Sequence, residues 1–145
     1  MSNIENFLTA SEEDAIVAAI RDAEKDTSGE IRVHIEQNCT GDIFKHAMEV
    51  FHYLKMDNTK EQNGVLIYVA VDKKSFVIFG DKGINEAVGK DFWNATKDTI
   101  AAHFKNGEFA QGLIEGIKKS GQQLSKYFPW FHGNTNELDN SISKG

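Results

Sequence analysis

Seven consecutive apolar residues, Val65-Leu66-Ile67-Tyr68-Val69-Ala70-Val71, constrain this chain more than any other feature. The run is far short of the ~20 apolar residues that a membrane span needs. It is rich in β-branched side chains and carries no charge, so it reads as a strand buried on both faces. Such a strand needs neighbours on either side and a helical layer on each face. Asp72-Lys73-Lys74 supplies a tight turn, and Ser75-Phe76-Val77-Ile78-Phe79 returns as an antiparallel partner. Upstream, Ile31-Arg32-Val33-His34-Ile35-Glu36 alternates apolar and polar residues, which predicts a strand with one face less covered.

The helices follow from periodicity and capping. Thr9 with Glu12 has the spacing of a capping box, with Ser11 and Asp14 as a competing register. Ile16, Ala19, Ile20 and Ala23 then share a face, and Ser28-Gly29 ends the segment. After the loop Asn38-Cys39-Thr40-Gly41, Asp42 caps a second helix with the stripe Phe44, Ala47, Met48, Phe51 and Leu54. A turn of helix is expected around residues 84–88. A further helix runs from Asp91 with Phe92, Trp93, Thr96, Ile100 and Phe104 on one side, until Asn106-Gly107 breaks it. The last helix, from Glu108, carries Phe109, Leu113, Ile117 and Leu124. The order α-β-α-β-β-α-α predicts a three-layer α/β/α sandwich around a small mixed β-sheet. The single proline, Pro129, divides a folded domain over residues 1–128 from a polar tail over 129–145, expected to be mostly mobile, with Trp130 and Phe131 as anchors.

Charge and cysteine content narrow the function. Sixteen Lys and Arg against 22 Asp and Glu leave a net charge of -6, and the two arginines, Arg21 and Arg32, sit in no basic run. Phosphate-backbone binding needs clustered cations, so nucleic acid is not expected as a partner. The lone Cys39 cannot form an internal disulfide, and residues 1–10 hold neither a cation nor a long apolar run. A cytoplasmic monomer without membrane insertion is the expectation. No Gly-x-Gly-x-x-Gly, Walker-type loop, Gly-x-Ser-x-Gly elbow or His-Glu-x-x-His occurs, and no arginine follows Cys39 closely. His34 and His103 have ordinary explanations, on a polar strand face and at a helix C-terminus. Catalytic residues are therefore unknown at this level.

The carboxylates are more informative. If the first and central strands run parallel, Glu30 and Asn63 lie at the same end of the sheet, and the hairpin returns Asp81 to it. Three segments then converge, carrying Glu30, Asp57, Glu61, Asp81, Glu86 and Asp91, with the carbonyls of Asn63 and nearby glycines. Clustered carboxylates repel one another unless cations intervene, and hard ions such as Ca²⁺ take six to eight oxygen ligands. Divalent cations, Ca²⁺ and secondarily Mg²⁺, are the cofactors and partners this implies. Alternatively Asp91 caps its helix, Glu61 and Glu86 are solvated, and Lys60, Lys82 and Lys90 neutralise the group.

Four segments together resemble the TPM domain: Ser28-Gly29-Glu30-Ile31-Arg32-Val33, Asn63-Gly64-Val65-Leu66-Ile67-Tyr68-Val69-Ala70, the Gly80-Asp81-Lys82-Gly83-Ile84 loop as far as Asp91, and Phe104-Lys105-Asn106-Gly107-Glu108-Phe109-Ala110-Gln111-Gly112-Leu113. The resemblance covers about residues 5–128. It implies an α/β/α sandwich with a divalent metal, typically calcium, in loops at one end of the sheet. The family is named for a thylakoid-lumen acid phosphatase, a photosystem II repair protein and a modulator of acetylcholine receptors. Members often carry an N-terminal signal and a C-terminal membrane helix or Gly-rich tail. The chain shows neither and resembles a stand-alone, intracellular version. Three functions follow: a Ca²⁺/Mg²⁺-binding domain whose ions hold crossing loops, with catalysis absent or weak; a metal-dependent acid phosphatase; or an interaction module presenting Trp93, Trp130 and Phe131 to an unidentified protein partner.

Overall fold

The computed structural model describes residues 7–59, 61–88, 91–129 and 142–144. Its elements are α1 (Ala10–Ala23), β1 (Glu30–Glu36), α2 (Ile43–Tyr53), β2 (Gly64–Ala70), β3 (Ser75–Gly80), α3 (Lys82–Ala87), α4 (Asn94–Lys105), α5 (Phe109–Tyr127) and β4 (Ser143–Lys144). The sheet order is β3-β2-β1-β4, with β2 parallel to β1 and antiparallel to β3. Every residue of β2 is buried, as its unbroken apolar run requires. Ile31, Val33, Ile35, Val65, Ile67 and Val69 point to one face, where they meet Ile16 and Ile20 of α1, Ile100 and Phe104 of α4, and Leu113, Ile117 and Leu124 of α5. Leu66, Tyr68 and Ala70 point to the other, where Ala47 and Phe51 of α2 cover them. Helices α1, α4 and α5, joined by Ile84 of α3, lie on one side and α2 on the other, which makes the α/β/α sandwich.

Local chemistry sets most boundaries. The capping box at α1 forms: Glu12 N–H donates to Thr9 Oγ1 at 3.1 Å, and Thr9 N–H donates to Glu12 Oε1 at 2.8 Å. Thr9→Ala is expected to cost about 1 kcal/mol in urea unfolding, since one orphan helix N–H loses its acceptor. The turn between β2 and β3 closes with Lys74 at φ 47°, a left-handed position.

Several expectations shift. α1 ends at Ala23 and passes into a 3-10 turn, Glu24–Asp26, well before Ser28. The short helix occupies Lys82–Ala87, two residues earlier than its expected start, because Asp81 caps it through its side chain. α4 begins at Asn94 rather than Asp91, and residues 91–93 form a preceding turn. Phe44 and Met48 of α2 stay partly exposed: Phe44 packs one side of its ring on Phe79 of β3, and its other side faces the groove along that strand. The polar face of β1 is more covered than its alternation suggests. His34 is buried, stacked on Tyr68 and hydrogen-bonded to Ser143 Oγ at 2.9 Å. Trp93 belongs to the core rather than to a presented surface. Of residues 129–145, Pro129 bridges Thr27 and Ser143–Lys144 pairs with β1. Trp130, Phe131 and most of the expected mobile tail lie outside the described residues.

Candidate metal centre

The backbone brings the three acidic segments to one end of the sheet. Glu30 opens β1 directly opposite Gly64, the first residue of β2. Asp81 N–H donates to the Gly64 carbonyl at 2.9 Å, and Glu30 N–H donates to the Asn63 carbonyl at 3.3 Å. The loop before β2 and the first turn of α3 cross in contact: Gly83 N–H donates to the Gln62 carbonyl at 2.8 Å. A β-carbon on Gly83 would stand 2.1 Å from the Glu61 carbonyl, so only glycine fits the crossing.

The side chains divide into smaller groups. Asp81 is buried; its Oδ1 accepts from Lys82 N–H at 2.7 Å, while its Oδ2 has no partner among the described residues. Burial, with a further push from Asp57, raises the Asp81 pKa above the ordinary carboxylate value against the Lys82 amide, His52 and Lys82. Asp57 is exposed and its Oδ2 lies 2.9 Å from His52 Nδ1. A second group joins Glu61, Asn63 and Ser28. Glu61 Oε2 accepts from Ser28 Oγ and, at 3.1 Å, from Asn63 Nδ2, which also reaches Ser28 Oγ at 3.2 Å. Glu61 is exposed and Asn63 buried. Glu86 and Asp91 are exposed, and Asp91 Oδ1 accepts from Asn94 Nδ2 at 3.3 Å. Lys60 and Lys90, two of the lysines expected to neutralise the cluster, lie outside the described residues.

The third group contains a residue that sequence reading passed over. Glu30 is buried at the start of β1, and Glu24 is buried beside it. Glu24 Oε2 accepts from Ile31 N–H at 2.8 Å. Burial, and the neighbouring Glu30 carboxyl, nevertheless push Glu24 up to about 8. The signal was present: Ile16, Ile20 and Glu24 follow one another at four-residue spacing, so Glu24 continues the apolar stripe of α1.

Among the described residues, no three His, Cys, Asp or Glu side chains form a group able to hold a metal by themselves. The donors at this end are nonetheless mostly oxygen, with the His52 ring beside Asp57, and buried carboxylate oxygens, Asp81 Oδ2 among them, lack a hydrogen-bond partner among the described residues. Such a set suits a hard divalent ion that completes its shell with carbonyls and water. The residues of other chemistries are engaged structurally. Cys39 is buried, with its N–H on Asp72 Oδ2 at 3.1 Å. His34 Nε2 lies 3.0 Å from Glu36 Oε1, and burial lowers the His34 pKa. His103 Nδ1 lies 3.1 Å from Glu108 Oε1.

An α/β/α sandwich with crossing acidic loops at one sheet end is the class that these features define. The TPM domain family matches residues 2–123, and the chain belongs to that family. Among solved structures, it is similar to the BA42 protein from the psychrophilic bacterium Bizionia argentinensis, at 64% identity over 100% of both chains with a TM-score of 0.93. The fold also recurs in the N-terminal domain of a P. gingivalis protein, at 19% identity, 87% of this chain, 83% of that one and a TM-score of 0.70. The N-terminal domain of cg2496 from Corynebacterium glutamicum shares it at 13% identity, 95% and 81% coverage and a TM-score of 0.64. No curated protein sequence matches the chain. Among the described residues, no helix is long and apolar enough to cross a membrane.

Proposed function

We infer that this TPM domain binds divalent cations, Ca²⁺ or Mg²⁺, at the sheet end where its loops cross. The observation that carries this is the buried Asp81 Oδ2, which has no hydrogen-bond partner among the described residues, beside the like charge of Asp57. Glu30 and Asp81 flank Gly64 in the same row of the sheet, and Glu61 and Asn63 reach the same end from the crossing loop. A bound ion supplies positive charge that offsets the burial of these carboxylates, so binding free energy becomes folding free energy. The chain's own part is to hold the carbonyls of Glu61 and Gln62 against α3 through Gly83, and to keep Asp81 ionisable at the cap of that helix. Glu86 and Asp91, both exposed, would join only from the rim. Phosphatase chemistry rests on family resemblance alone, and the sequence carries no nucleophile motif for it.

Thermal unfolding tests the reading. Saturating Ca²⁺ is expected to raise the midpoint by roughly 5–10 °C over excess chelator, the size that ~100-fold excess over the dissociation constant gives a chain of this length. Asp81→Asn is expected to remove most of that rise while leaving the metal-free midpoint equal or higher, because the amide carries no charge to bury. Identical midpoints in chelator and in Ca²⁺ would overturn the assignment.

A further inference from the structure

Among the described residues, β3 is an edge strand, at the side of the sheet away from β4. Its register decides which backbone groups it leaves over. The bond from Asp81 N–H to the Gly64 carbonyl sets the alternation, so Phe79, Val77 and Ser75 turn their N–H and C=O groups to Leu66, Tyr68 and Ala70. Phe76, Ile78 and Gly80 turn theirs outward, and the Gly80 carbonyl accepts from Asn85 Nδ2 at 3.5 Å. The strand SFVIFG has none of the usual edge guards: no charge, no proline, and an unbroken register without a bulge. The outward groups open into a groove of about 310 Å³ between Phe44 of α2 and Lys97, Asp98 and Ala101 of α4. Phe44 is 51% exposed and Met48, one turn along α2, is 37% exposed. Large apolar side chains beside an unguarded edge mark an interaction surface.

We propose that this edge pairs with β3 of a second copy of the chain, antiparallel about a two-fold axis at Val77. Two observations favour a second copy over a foreign strand. With the axis at Val77, Phe76 of each copy lies opposite Ile78 of the other, so all the outward groups of these two residues pair and the joined sheet has no open β3 edge. Lys97 and Asp98 are adjacent, exposed and without an ion pair among the described residues. A two-fold copy presents the same two charges in reverse order, matching Lys97 to Asp98 on each side. Elsewhere, the net charge of -6 opposes self-association. This departs from the monomer expected from the sequence.

Sedimentation velocity and amide hydrogen exchange at about 20 µM and about 1 mM bracket a weak interface of this kind. The expected result is a dimer at the higher concentration, with slowed exchange of the Phe76 and Ile78 amides and no change at Val77 or Phe79. Val77→Lys places like charges on the axis and is expected to restore the monomer while circular dichroism shows the fold intact. If that variant does not fold, the exchange pattern of the unaltered chain still decides. A monomer at both concentrations overturns the proposal and leaves the edge to a foreign extended segment. A dimer without slowed Phe76 and Ile78 exchange overturns it too, because association then uses another surface.

Discussion

Glu24→Gln is expected to stabilise the metal-free protein by roughly 2–4 kcal/mol at pH 8, and by little at pH 5. The sign follows from linkage. Burial and Glu30 raise Glu24 from an ordinary 4.5 to about 8, so the folded state keeps a proton that the unfolded state has lost. Between those two values the native chain binds more protons than the unfolded chain, and stability falls as pH rises through the window. Below it the contribution vanishes, and above it the full penalty stands. Glutamine keeps an oxygen for Ile31 N–H, offers an N–H toward Glu30 and carries no titration. Urea unfolding from pH 5 to 8 in excess chelator measures the effect. Parallel curves for the two proteins would show that Glu24 is ionised at no cost. In saturating Ca²⁺ the slope of the unaltered protein is expected to flatten, because a cation near Glu30 favours the charged carboxyls.

Gly83→Ala is expected to destabilise the protein by roughly 3 kcal/mol or more. The new β-carbon would meet the Glu61 carbonyl at 2.1 Å and the Gln62 carbonyl at 2.6 Å, both backbone atoms that cannot rotate away. Relief requires the loops to part, which also breaks the bond from Gly83 N–H to the Gln62 carbonyl. Gly107→Ala is the control. Gly107 has φ +75° but open space around its missing side chain, so its cost is conformational strain of about 1 kcal/mol. Denaturant midpoints compare the two. Equal losses would mean that the loop crossing is not close-packed. The same variant is expected to weaken Ca²⁺ stabilisation, since Gly83 holds the Glu61 and Gln62 carbonyls in place.

Much of the fold is legible in particular residues. The apolar run 65–71 specifies a central strand because only a position covered on both faces accepts it. Thr9 and Glu12 specify the start of α1 because the two side chains and two backbone N–H groups close on each other within one turn. The sheet end at which the acidic loops meet follows from strand direction alone. Misreadings arise where a local signal competes with a distant neighbour. Asp91 has the residue type of a cap, yet Trp93 packs into the core and α4 starts after it. Phe44 has the spacing of a buried stripe, yet it meets only edge strand β3, at Phe79, and half of it stays exposed. His34 lies on the polar side of an alternating strand, yet Tyr68 and Ser143 enclose it.

The candidate site shows the same division. Sequence alone determined the supply of carboxylates and the end of the sheet to which they travel, because periodicity and strand order are local or topological properties. Tertiary structure decided which of them lose their water: Glu24, Glu30 and Asp81 are buried, whereas Glu61, Glu86 and Asp91 are exposed. That distinction sums over neighbours far away in the chain. Glu24 is enclosed because α1 carries it into the interior at the start of β1, where the Ile31 amide fixes it. Asp81 is enclosed because β3 delivers it beside Gly64. A carboxylate's charge is written in the sequence; the free energy of keeping that charge is set by what folds around it.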